Sequence, residues 1–107
     1  MPVPTSYDVL SDPPRPAVAR FELAARRLIE GWLEDGRVRA TAQDLALATE
    51  FLRHCGLRAE PLPGLEVRLT SDKGRTTITT RDDAVVTALR CLVDMQRATA
   101  LLVARAA

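Results

Sequence analysis

Chemistry beyond packing in this chain falls to His54, to Cys55 and Cys91, and to two groups of carboxylates, Glu60 with Glu66 and Asp82 with Asp83. His54 is the only histidine and is the immediate neighbour of Cys55. Adjacent helix positions point about 100° apart, so the two do not readily share a metal or act as base and nucleophile. His54 therefore reads as a surface or packing residue. Both cysteines fall on predicted helices at positions that can face inward, where a free cysteine behaves as a small hydrophobe. One pair in a chain with a sizeable core is not a disulfide framework, and the two read as reduced and structural. Glu60 and Glu66 flank a predicted loop between strands, and Asp82 with Asp83 opens a predicted helix; such positions serve strand edges and helix caps rather than acid–base catalysis.

The chain has no Cys-x-x-Cys, no His-x-x-x-His, no phosphate-binding glycine-rich loop and no nucleophile elbow. Zinc, nucleotide and acyl-transfer chemistry lose their usual sequence support. No catalytic residue, metal ligand or cofactor is assigned.

A basic patch is the remaining polar candidate. Arg68, Lys73, Arg75 and Arg81 lie along or beside a predicted hairpin, and a basic hairpin tip can follow a phosphate backbone. Asp72 in the turn and Glu66 on the strand dilute that field, and no aromatic residue is there to stack on bases. The net charge is +1, with 15 basic and 14 acidic residues spread through every segment, so no block of charge would hold a polyanion. Nucleic-acid binding through these four residues is the second of two functional expectations.

The elements that carry these residues follow from periodicity. With 107 residues and 47% hydrophobic composition, the chain is a single globular domain. Five of its seven prolines stand within residues 1–16, which therefore read as a proline-rich arm, leaving 17–107 as one α+β domain. Within the arm, Tyr7, Val9 and Leu10 could add an edge strand. Ser11 or Asp12 caps a first helix whose opening turn tolerates proline. Val18, Phe21, Ala25, Leu28, Ile29 and Trp32 recur on one face of it, and Asp35-Gly36 ends it.

Thr41, with Asp44 three residues on, starts a second helix in the pattern of a capping box, and Gly56 is placed to end it. The segment Thr41-Ala42-Gln43-Asp44-Leu45-Ala46 resembles the opening of a helix-turn-helix. Pro61 and Pro63 follow where a recognition helix would have to begin, so the likeness stops at those six residues. From Leu65 the period changes to two, and Leu65–Thr70 and Arg75–Thr80 form an antiparallel hairpin about the turn Ser71-Asp72-Lys73-Gly74. Leu57–Leu62 is placed to add a third strand.

A long helix from Asp82 to Ala107 closes the chain, with Thr80 and Asp83 spaced as its capping box. Asp83, Arg90, Asp94, Arg97 and Arg105 make one narrow charged stripe, along which Arg90, Asp94 and Arg97 can pair. Val85, Ala88, Leu89, Leu92, Met95, Thr99, Leu102 and Val103 fill the opposite side. Val86, Cys91, Val93, Ala98 and Ala100 widen the apolar arc to about twice what a helix facing one core needs. Such a helix must be enclosed by other elements or by a second copy of the chain.

The resulting expectation is a non-catalytic protein–protein interaction module: an adaptor, accessory subunit or inhibitor of a larger assembly. It is homodimeric through Val86, Val93, Ala100 and Leu101 of the last helix. The sequence shows no secretory signal and no run of 18 apolar residues, so the expected setting is the cytoplasm, without a membrane partner.

Overall fold

The computed structural model describes residues 14–106, so the expected arm strand at Tyr7–Leu10 and the helix cap at Ser11 or Asp12 lie outside the described residues. The architecture is α+β: two helices, a three-stranded antiparallel sheet and a long C-terminal helix. Helix α1 spans Pro14–Asp35, with two prolines in its first turn, where a missing N–H leaves no bond unmade. Its inner row of Ala17, Phe21, Ala24, Ala25 and Leu28 is buried. Ile29 and Trp32, expected on that face, remain partly exposed, Ile29 at a groove between α1 and the last helix and Trp32 at a depression near the start of that helix.

Helix α2 spans Ala42–His54 and begins with the full capping box: Thr41 Oγ1 accepts from Asp44 N at 3.1 Å, and Asp44 Oδ2 accepts from Thr41 N at 2.8 Å. Gly56 follows with φ of +84°, the left-handed conformation that suits glycine at a helix end. Phe51 of α2 stacks on Phe21 of α1 with ring centroids 5.0 Å apart, and both rings are fully buried. This pair anchors the helix–helix half of the core.

The strands are β1 (Leu57–Pro61), β2 (Glu66–Ser71) and β3 (Thr76–Thr80), paired in the order β1-β2-β3. The two prolines that bar a recognition helix thus close an edge strand and the loop after it. Register places Ala59 opposite Leu69 and Pro61 opposite Val67, so these residues share the face turned to the helices. Arg68 pairs with Glu60 on one side and Ile78 on the other, which puts Ile78 on the outer face. The one large apolar residue of β3 is therefore 49% exposed, and threonines form the inner side of that strand.

Helix α3 spans Arg81–Ala106. Thr80 Oγ1 accepts from Asp83 N at 3.1 Å, which forms the forward half of the expected box, while Asp82 Oδ1 accepts from Ala40 N at 2.8 Å and ties the α1–α2 connection to the start of α3. Ala84, Val85, Ala88, Leu89 and Leu92 are buried against the body. Beyond them the picture changes: from Gln96 to Arg105 every described side chain is exposed. A helix of 26 residues is about 39 Å long, and nothing among the described residues packs on its last third. Thr99 and Leu102, which periodicity assigns to the inner side, are bare for this reason. Periodicity identifies the face of a helix but not how far along it a body is present. No helix is long and apolar enough to cross a membrane among the described residues.

Candidate functional site

Between α1 and α3 runs an open groove of about 500 Å³. Leu23, Ile29 and Leu92 form its apolar floor and wall, and Glu22, Arg26 and Gln96 its polar margin. Gln96 Nε2 donates to Glu22 Oε2 at 3.1 Å, a single polar bridge between the helices. Two of the apolar side chains that line it are bare to water: Leu23 is 72% and Ile29 38% exposed, and Leu33 further along α1 is 82% exposed. Scattered exposed apolar residues are ordinary, but Leu23 and Ile29 together in one groove mark a surface that can exclude water when covered.

The four residues expected to form an interface do not make one compact patch. Val86 lies half-buried near the body, lining a depression with Trp32 and Val38. Val93 and Ala100 continue its row at intervals of seven residues and are exposed, Val93 close to where the body ends and Ala100 on the projecting part. Leu101, 62% exposed, stands beside the charged stripe. Leu102 at 67% continues the buried row of α3 past the end of the core. The sequence reading missed Leu23, Leu33 and Leu102 as surface residues. Leu23 and Leu33 leave a trace in the sequence, since each interrupts the Arg- and Glu-bearing side of α1. Leu102 leaves none, because its position in the apolar pattern is that of a core residue.

The charged stripe of α3 is exposed, and the expected pairing of Arg90, Asp94 and Arg97 does not form among the described ion pairs. The hairpin cations are also dispersed. Arg68 on β2 reaches Glu60 at 3.8 Å, Lys73 and Arg75 stand exposed at the turn, and Arg81 is drawn inward at the first turn of α3. Arg81 and Arg68 are half-buried, whereas Lys73 and Arg75 are exposed. Ser71 Oγ accepts from Lys73 N and Arg75 N, so the turn is built by its backbone and does not depend on the basic side chains.

His54 is exposed at the end of α2. Cys55 and Cys91 are free thiols, both half-buried, that face each other between the end of α2 and the middle of α3. Burial, with added effects of the facing Cys91, pushes the Cys55 thiol up to about 11, and burial likewise raises Cys91. Thiols held protonated in this way are poor nucleophiles and poor metal ligands. Among the described residues no cluster of three or more His, Cys, Asp or Glu side chains is disposed to hold a metal ion.

Comparison with protein-family models, with curated proteins and with solved structures gives no match.

Proposed function

We propose that the protein is a non-catalytic interaction module that self-associates through the α1–α3 side of the fold and serves as an adaptor, accessory subunit or inhibitor of a larger assembly. The supporting observation is the projecting third of α3, which carries Leu101 and Leu102 in the open. A helical stretch without packing is marginal in water, since nucleation and chain entropy oppose it and tertiary burial normally compensates.

A second copy fits this surface because one chain carries both complementary parts. The protruding parts are Leu101 and Leu102, and the receiving part is the groove floored by Leu23, Ile29 and Leu92. In a two-fold arrangement each end enters the partner's groove, and both contacts form at once. The polar margin matches: Glu22 and Arg26 border the groove, while Arg97, Arg105 and Asp94 border the projecting helix. Size-exclusion chromatography with light scattering tests the reading. The expected result is a dimer at micromolar concentration that becomes a folded monomer in Leu101→Glu/Leu102→Glu. A wild-type monomer with full helicity overturns it.

A further inference from the structure

On the other side of the molecule, a second cavity of about 270 Å³ lies between the first turns of α2, the β1–β2 loop and the start of α3. Its lining is mainly apolar, with Leu45 and Ala46 from α2, Leu62 and Leu65 from the loop, and Val67 from β2. The loop is held in place by two backbone bonds: Leu62 N donates to Glu66 O at 2.9 Å, and Arg81 N donates to Leu65 O at 2.8 Å. The volume is close to the lower end of small-molecule clefts, about 300 Å³.

The cationic group in the lining is Arg81. Its Nε is buried and has no hydrogen-bond partner among the described residues, and its guanidinium enters none of the described ion pairs. Such an orphan is rare, because nearly all buried polar atoms in folded proteins are paired. The planar fork of a guanidinium is shaped for a carboxylate. Thr49 donates its hydroxyl to Leu45 O at 2.7 Å and so presents only lone pairs to the cavity. Glu66, an exposed residue, is the acidic group in the lining.

We infer that this cavity is a binding site for a small amphipathic monocarboxylate, its carboxylate on the Arg81 guanidinium and its short apolar tail against Leu45, Leu62 and Val67. The apolar wall selects a hydrocarbon tail, and the guanidinium, which enters none of the described ion pairs, selects an anionic head. This site is separate from the α1–α3 groove, so it stands whether or not the chain self-associates.

Titration of the ¹⁵N-labelled full chain with hexanoate, against hexanamide as the uncharged counterpart, tests it. Hexanoate is expected to give saturable amide shifts at Ala46, Thr49, Leu65 and Val67, with a dissociation constant on the order of 1 mM. Hexanamide and the Arg81→Gln variant are expected to bind about tenfold more weakly or worse, because the charge-assisted bond is lost. Ala46→Phe, which fills the mouth without touching Arg81, is expected to abolish the shifts and serves if Arg81→Gln does not fold. Equal binding of hexanoate and hexanamide, unchanged binding by either variant, or only unsaturable scattered shifts would overturn the assignment.

Discussion

Arg27 of α1 donates to the Asp44 carboxylate in the first turn of α2, and the same carboxylate caps Thr41 N. Asp44 is the one buried charged residue among the described residues, and its side chain is 3% exposed while that of Arg27 is 58% exposed. One buried oxygen pair thus joins the two helices and starts the second.

Asp44→Ala is expected to lower stability by about 1–3 kcal/mol, since it removes the cap and strands the Thr41 N–H. Burial alone would raise the Asp44 carboxyl, but the hydrogen bonds from Arg27 and Thr41 together with the Arg27 charge outweigh it and hold it below its ordinary value. A native carboxyl that holds its proton less tightly than the unfolded one adds stability above the unfolded range, near pH 4, and loses it as pH falls through the native value. Urea midpoints from pH 6 to pH 2.5 should fall for the wild type and fall less for Asp44→Asn.

The stacked pair Phe21 and Phe51 carries the helix–helix core. Phe51→Ala is expected to cost about 3–5 kcal/mol through the cavity it leaves, a large part of the stability of a domain this size. Loss of the folded near-ultraviolet signal at low urea would show it.

Cys55, with its thiol pushed up to about 11 by burial and by the facing Cys91, is expected to react slowly at neutral pH. Alkylation by iodoacetamide at pH 7.4, followed by intact mass, should run on the order of a hundredfold slower than for a free cysteine and accelerate towards pH 10. Rapid modification would mean that the end of α2 opens readily.

Arg68 and Glu60 meet at 3.8 Å with both side chains about half exposed. Arg68→Ala should change stability by less than about 0.5 kcal/mol, because the gain of an exposed pair is offset by ordering two long side chains. A urea midpoint displaced by more than this would show that the outer face of the sheet contributes more than its exposure implies.

Much of the architecture was legible because local rules and tertiary packing agree. The Thr41–Asp44 box, the change of period at Leu65 and the Ser71–Gly74 turn each determine the backbone where they stand. Even the third strand was foreshadowed by the prolines that forbid a helix at Pro61 and Pro63. The candidate surface was read less well. Leu102 and Leu92 both lie on the broad apolar side of the helix, yet one is bare and the other buried, because only the three-dimensional arrangement sets where the body stops. Proximity in sequence groups Arg81 with the hairpin, whereas a bond from its own N–H to Leu65 O ties it to the β1–β2 loop. Pairing between Arg90 and Asp94 follows from spacing alone, and long exposed side chains need not satisfy it.

Contacts between copies test the central claim most directly. In a mixture of ¹³C-labelled and unlabelled chains, isotope-filtered spectra should show cross-peaks from the methyls of Leu101 and Leu102 on one chain to Leu23, Ile29 and Leu92 on another. A sample at hundreds of micromolar that shows no such cross-peaks, while α3 remains helical to its end, would contradict the account.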